Sequence, residues 1–392
     1  MNKYINGLLL TFLFNSPALA GGLALYETSP DNSASANAGS AAKAQGPSTI
    51  AGNPAGMVLL DGTQIQLSAG VVSGDMTIKL DNGGVSGGNP VQTAPLGTLY
   101  VTHELNERWS AGIGLFGSHG LGLSYDPQWS GSRYIQYGNI TGIAMAPSLA
   151  LRINPQWSVG MSLIASQGKI EMKSTPLPNM SSAAKLNFSA NDRAYAASLG
   201  VIYEKDENTR IGLNYVSESE WRLNGDLFPG ADIAQNSRIN IVMPQSLTLS
   251  GYHQLNDQWT LLGSINWQEW SRFGEMDISY AQFNTTKNLG YQDTWHASLG
   301  TQFSVSEKFR LSTGIAYDSS PVNDVNRTVN IPMGKAWRFG LGGDYQIIPS
   351  TTIELGYTFV RIGDMPFEQP GISGVYENSR LYFVMLGLKH KF

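Results

Sequence analysis

The sequence predicts an all-β protein, a transmembrane antiparallel β-barrel of about 14 strands with an N-terminal plug, or hatch, in its lumen. Three observations predict it. From about Thr63 to Phe392 the chain repeats one period-two pattern of apolar and small or polar residues. The connections alternate between tight turns and loops of about ten to twenty residues, the asymmetry of outer-membrane barrels. No stretch reaches the roughly 18 to 20 consecutive apolar residues that a spanning helix needs.

The alternation is clearest near the C-terminus. Trp295, Ala297 and Leu299 alternate with His296, Ser298 and Gly300, and Phe309, Leu311, Thr313, Ile315 and Tyr317 alternate with Arg310, Ser312, Gly314, Ala316 and Asp318. Trp337, Phe339, Leu341 and Tyr345 share one face of the next strand, with Arg338, Gly340, Gly342, Asp344 and Gln346 on the other. Tight turns fall near Asn106, Pro155, Asp206, Asp257, Glu307 and Pro349. Trp109, Trp157, Trp259 and Phe309 each follow such a turn, where an aromatic girdle sits at the periplasmic interface. Strands are therefore expected near 63–80, 95–105, 108–119, 138–153, 156–173, 191–204, 208–225, 243–255, 258–280, 291–305, 308–319, 335–347, 350–362 and 379–392. The last carries Tyr382, Val384, Leu386, Leu388 and Phe392 on one face, interrupted by His390. Its terminal aromatic, Phe392, resembles the signal read by the bacterial barrel-assembly machinery.

Upstream of the strands, residues 1–20 combine Lys3, an apolar run over residues 8–14, Pro17 and Ala18-Leu19-Ala20, the pattern of a secretory signal peptide. Residues 21–62 then form the expected hatch and residues 63–392 the barrel in the bacterial outer membrane. A barrel of about 14 strands leaves a lumen that stays open unless something fills it. The hatch segment is the candidate: residues 46–57 (GPSTIAGNPAGM) hold Pro47 and Pro54, which exclude a central strand position, and residues 33–45 are expected to form a short Ala-rich helix.

Composition narrows the function classes. Charged residues make up only 14%, against about 25% in an average soluble domain, and there are 44 glycines. The net charge of -5 argues against a nucleic-acid partner, and the absence of Cys removes disulfides and thiol chemistry. The five histidines form no HExxH and no close pair, so no metal or other cofactor is expected. The GIGLFG run at 112–117 matches a dinucleotide fingerprint but lies inside a strand. No GxSxG elbow occurs, and no enzyme is expected. Asp318 reads as the cap of the turn that follows its strand.

Asn53-Pro54-Ala55 in this context resembles the plug motif of the FadL-type long-chain fatty-acid and hydrophobic-compound transporters of bacterial outer membranes. GGLALYE at 21–27, PSLALRI at 147–153, the SGY, Gln258-Trp259 and Trp267-x-x-Trp270-Ser271-x-Phe273 elements at 250–273, and GIAYDSSPVNDVNRTVNIP at 314–332 extend the resemblance along the chain. It implies passive import of a hydrophobic small molecule, foremost a long-chain fatty acid, by a monomer whose other partners are outer-membrane lipid and lipopolysaccharide. The substrate would land between extracellular loops, pass to a pocket beside the hatch, and leave on hatch movement through a lateral opening.

On this sequence the resemblance puts Leu23 in the pocket and Asn53, Pro54 and Ala55 in the hatch. The landing site falls on loops 174–190 and 226–242, with Leu177, Met180, Leu186, Phe188, Leu227, Phe228, Ile233 and Ile241. Gly117, Gly120 and Gly122 mark the strand kink, since glycine weakens a strand and permits bends. Gln292 stands where fatty-acid transporters carry a basic residue, which leaves Lys169, Lys173 or Arg193 as carboxylate partners and keeps aromatic or aliphatic hydrocarbons open as substrates. A barrel hydrolase or lipid-modifying enzyme and a general porin are the readings of another class.

Overall fold

The computed structural model describes residues 23–175, 187–226, 237–280 and 283–392. Its strands are β1 (Thr63–Leu80), β2 (Ala94–Asn106), β3 (Trp109–Ser124), β4 (Tyr137–Arg152), β5 (Trp157–Lys173), β6 (Asn187–Asp206) and β7 (Thr209–Val216). There follow β8 (Ser219–Gly225), β9 (Ser237–Met243), β10 (Ser246–Gln254), β11 (Trp259–Gln268), β12 (Glu275–Tyr280) and β13 (Phe283–Asn288). The last are β14 (Thr294–Ser306), β15 (Phe309–Asp318), β16 (Ala336–Ile348), β17 (Thr351–Ile362), β18 (Met365–Gln369) and β19 (Ile372–Lys391). Among the described residues fourteen of them, β1 to β7, β10, β11, β14 to β17 and β19, form an antiparallel ring that closes where β1 pairs with β19.

The ring is inverted relative to a soluble barrel. Leu67, Met161, Leu199, Leu261, Leu299, Phe339 and Leu386 point outward and are exposed, whereas Ser162, Ser198, Asn214, Ser250, Ser264 and Ser298 point inward and are buried. An apolar band outside and a polar wall inside are what a bilayer and a filled lumen select. Trp157 packs against Tyr203 and Trp259 against Phe303 at the tight-turn end, at ring separations of 4.7 and 4.6 Å. No helix among the described residues is long and apolar enough to cross a membrane.

Two expected strands end early. The run expected over 208–225 stops at Val216, where Ser217 closes the pairing with Ala197, and resumes as β8 with Trp221 turned inward over Gly168. The run expected over 258–280 stops at Gln268, and the helical turn α3 (Trp270–Phe273) follows, with Trp270 donating to Gln268 at 2.7 Å. The outer pieces form a separate four-stranded sheet, β13-β12-β9-β8, at the long-loop end. β19 in turn begins at Ile372 rather than near 379, because a bulge at Asn378 carries the pairing upward.

Inside the ring lies the hatch, with helical turns α1 (Pro30–Ala34) and α2 (Thr49–Gly52) and a 3₁₀ turn over Pro54–Leu59. The helix expected over residues 33–45 does not form. Ala36, Asn37, Gly39 and Ala44 adopt positive φ instead, so the chain winds in turns that bring its carbonyls against the barrel wall. Above the hatch an apolar cluster fills the long-loop end, built from Leu23, Met76, Leu121, Phe188, Trp221, Ile241, Trp270, Met333 and Phe383 among others.

Candidate functional site

The lower hatch is pressed onto the wall. A Cβ at Gly212 would overlap the Ala41 carbonyl, one at Gly200 the Asn53 side chain, and one at Gly314 the Ser35 carbonyl. Close backbone approach of this kind requires glycine on the facing strands. Asn53, fully buried, donates to the Ala41 and Val201 carbonyls at 2.8 and 3.0 Å and accepts from the Ala55 amide at 3.0 Å. Pro54 opens the 3₁₀ turn where a missing N–H costs nothing, and Gly160 of β5 leaves room for Pro54 and Ala55. On the opposite wall Lys43 pairs with Asp31 at 2.7 Å and Lys389 with Glu354 at 3.0 Å, while Gln66 links Glu354 to the Ser48 amide.

The first described residues are held differently. Residues 23–27 cross the lumen as a strap between β3 and the β14–β16 wall. At one end Leu25 donates to the Ser118 carbonyl at 3.2 Å and Gly120 donates to the Leu23 carbonyl at 2.9 Å, with Ala24 bridged to His119. These β3 groups are available because β3 is bulged between Gly117 and His119 and loses its other neighbour there. Pairing with β2 ends at Phe116, and contact resumes only at Gly122 and Leu123 with Gln92 and Val91. Between those points the ring has a gap, and the strap covers it from inside.

At the other end the strap enters a buried ionic cluster. Arg338 on β16 binds Glu27 at 2.7 Å and Asp318 at 2.6 Å; Asp318 also faces His296 Nδ1 at 2.6 Å. Tyr26 lies stacked on the His296 ring at 4.3 Å and beneath the Arg338 guanidinium at 4.9 Å. Asp318 is thus a lumen carboxylate rather than a turn cap. This cluster is the part of the site that sequence reading missed, although the alternation had already put His296, Asp318 and Arg338 on the small and polar face of their strands.

Between strap and wall lies a cavity of about 200 Å³. Leu25, Tyr26, Phe116, Ile164, Val216 and Met243 give it apolar walls, Ser166, Asn214, Ser246, Asn266, Gln268 and His119 are among its polar wall residues, and Asn32, Asn37 and Ser40 of the hatch also border it. No Lys or Arg is among its described lining residues.

The predicted residues distribute unevenly around this cavity. Leu23 does not line it; it is fully buried in the apolar cluster above, which also holds Phe188 and Ile241, and Leu25 takes its place at the wall. Gly117, Gly120 and Gly122 flank the bulge and the gap. Lys169, Lys173 and Arg193 are corrected: all three point outward from β5 and β6, on the same face as Met161, Leu163 and Tyr195. Period two decides this, because residues separated by an even number share a face. Lys169 pairs there with Glu171 at 3.1 Å. Gln292 is corrected too, since it is exposed and fastens a loop by donating to the Ser320 carbonyl at 2.9 Å. The expectations for residues 1–20 and for Leu177, Met180, Leu186, Leu227, Phe228 and Ile233 lie outside the described residues.

A profile described as outer membrane protein transport protein (OMPP1/FadL/TodX) matches residues 11–383. The 47 kDa outer membrane protein of Pasteurella multocida is 26% identical over 91% of this chain and 90% of its own. The long-chain fatty acid transport protein of Escherichia coli K12 is 22% identical over 91% of this chain and 92% of its own. Among solved structures, a Pseudomonas aeruginosa FadL homologue superposes with a TM-score of 0.86 at 20% identity, covering 95% of this chain and all of the other. The Ralstonia pickettii toluene transporter TbuX gives 0.71 at 18% identity, covering 94% and 99%.

Proposed function

The chain belongs to the outer membrane transport protein family OMPP1/FadL/TodX and is an outer-membrane transporter of hydrophobic compounds, and on that premise we propose that the strap is its gate. A hydrophobic molecule enters from the long-loop end through the apolar cluster and occupies the cavity beneath the strap. Its presence there competes with Leu25 and Tyr26 for the same walls, and the strap withdraws from β3. The gap between β2 and β3 is then open sideways to the bilayer, and the molecule leaves down its own partition gradient without an energy source. The observation that carries this reading is the position of residues 23–25, which separate the cavity from the gap.

The cavity favours an uncharged substrate of about one ring or a short alkyl segment. A cavity of about 150 Å³ has room for benzene, and the cavity here, of about 200 Å³ with a mixed apolar and uncharged polar lining, has room for a molecule of that size. A carboxylate bound in it would find hydroxyls, amides and His119 but no permanent cation. The second reading, a long-chain fatty acid, is favoured by the named function of the Escherichia coli relative; its head would bind the Ser166, Asn214 and Gln268 side of the cavity. Binding of a fatty acid and of its methyl ester to the purified protein separates the two. Equal or tighter binding of the ester supports an uncharged substrate; acid bound at least tenfold tighter assigns the protein to fatty acids.

A further inference from the structure

The outer wall carries a cluster of cations that the transport path does not use. Arg361 on β17 and Arg380 on β19 stand directly opposite each other across a strand pair, and both are exposed. Such a pair holds its Cβ atoms about 5 Å apart, and like charges so placed destabilise the pairing. Neither arginine side chain makes a hydrogen bond or ion pair among the described residues. The same row continues to Trp337 on β16 at one side and to Asp75 on β1 at the other. Lys335 lies over Gly363 beside Arg361, so three cations face one carboxylate in this patch. Asp364, Glu377 and Lys79 stand further toward the long loops.

Position tells what the patch meets. One step down the same strands, Phe339, Phe359 and Tyr382 form a continuous aromatic row, with ring separations of 6.2 and 5.6 Å. Below them come Leu341, Tyr357 and Val384, all exposed to the apolar band. Aromatic rows of this kind mark the membrane interface. The arginines therefore stand at headgroup height on the long-loop side, above the lipid-facing wall rather than in the lumen. A bulge is built in immediately beside them: Asp75 faces Arg380 and Thr77 faces Glu377, which leaves Asn378 as an extra residue with φ 54°. Bulges of this kind re-aim side chains, and here it lets Arg380 point outward below the bulge while Tyr376 points inward above it.

We propose that Arg361 and Arg380, with Lys335, form a binding site on the outer wall for a phosphorylated lipid of the outer leaflet, the phosphate of a lipid A headgroup. Two guanidinium groups side by side offer parallel N–H donors that match phosphate oxygens, and a doubly charged phosphate removes the repulsion between them. Trp337 beside the arginines and Phe359 and Tyr382 one step below them support the sugar and acyl parts. Phosphate supplied by a lipid, not by solution, is selected by the aromatic and apolar wall that continues below the cations.

The test is native mass spectrometry of the full-length protein in detergent, titrated with bis-phosphorylated lipid A and with lipid A stripped of both phosphates. The wild type is expected to bind the phosphorylated form at least tenfold tighter than the stripped form, and R361Q/R380Q to bind both as weakly as the wild type binds the stripped one. K169Q/R193Q, which removes outward cations on β5 and β6, is expected to behave as wild type. Thermal unfolding gives an independent readout: without lipid R361Q/R380Q melts no lower than wild type, and added phosphorylated lipid A raises the wild-type melting point alone. Equal binding by wild type and R361Q/R380Q, a loss that follows K169Q/R193Q instead, or indifference of the wild type to the phosphates would each overturn the proposal.

Discussion

The lower hatch and the strap are parts of one segment, yet they are held by opposite means. Residues 30–59 meet glycines on the wall, bury Asn53 among backbone carbonyls, and close an ion pair between Lys43 and Asp31. Residues 23–27 hang between two backbone hydrogen bonds at a bulged strand and one ionic cluster, with a cavity on one side and a gap in the wall on the other. Interlocked backbone has few alternative positions, because overpacked or displaced contacts cost about 1–3 kcal/mol each. A strap with space beside it has somewhere to go. In the proposed mechanism the lower hatch therefore seals the lumen while the strap moves.

Four changes break or sharpen that contrast, in decreasing order of effect. Deleting residues 21–54 removes the strap and all of the lower hatch but its last turn, and the barrel is expected to remain folded and to leak small hydrophilic solutes in a liposome-swelling assay; a sealed deletion variant would show that the hatch is not the seal. Arg338→Gln acts on the strap alone. It leaves Glu27 and Asp318 buried without their counter-charge, a loss of about 3–5 kcal/mol for a broken buried pair. Hydrogen exchange at residues 23–27 is expected to accelerate strongly, with residues 49–59 unchanged.

Asn53→Ala acts on the body alone. Leaving the carbonyls it serves without a donor costs about 1–3 kcal/mol, and faster exchange is expected over residues 49–59 with the strap protected as before. Exchange that rises equally in both segments in either variant would show that strap and body are one unit. The smallest effect is expected from K169Q/K173Q/R193Q: with all three side chains outside the lumen, uptake of a labelled hydrophobic substrate should match wild type within experimental scatter.

Most of the barrel was legible because lipid outside and a filled lumen inside impose period two on every strand. The breaks at Ser217 and Glu269 were not, since polar and apolar residues go on alternating into β8 and β12, which pair in another sheet. Asn53-Pro54-Ala55 was legible through its resemblance to the family's plug motif, since the residues alone only exclude Pro54 from a central strand position; the cap that Asn53 makes on Ala55 and its bonds to Ala41 and Val201 come with the fold. The outward position of Lys169 was readable from its even spacing to Met161 and Leu163, which share its face of the strand. The Arg338 cluster needed more than parity. Its lumen face was visible, whereas Glu27, its partner 311 residues away, is joined to it only by folding.

The most direct test of the moving strap uses the absence of native cysteine. Ala24 and His119 form an antiparallel bridge flanked by the two strap hydrogen bonds. Such a pair has Cα atoms about 4.5 Å apart, within the reach of a disulfide. In A24C/H119C, oxidation is expected to lower uptake of a labelled hydrophobic substrate at least tenfold, and reduction to restore it. In A41C/S250C, placed where the Ala41 amide donates to Ser250 at 3.1 Å, oxidation is expected to leave uptake unchanged. Full uptake by oxidised A24C/H119C would contradict the strap as gate.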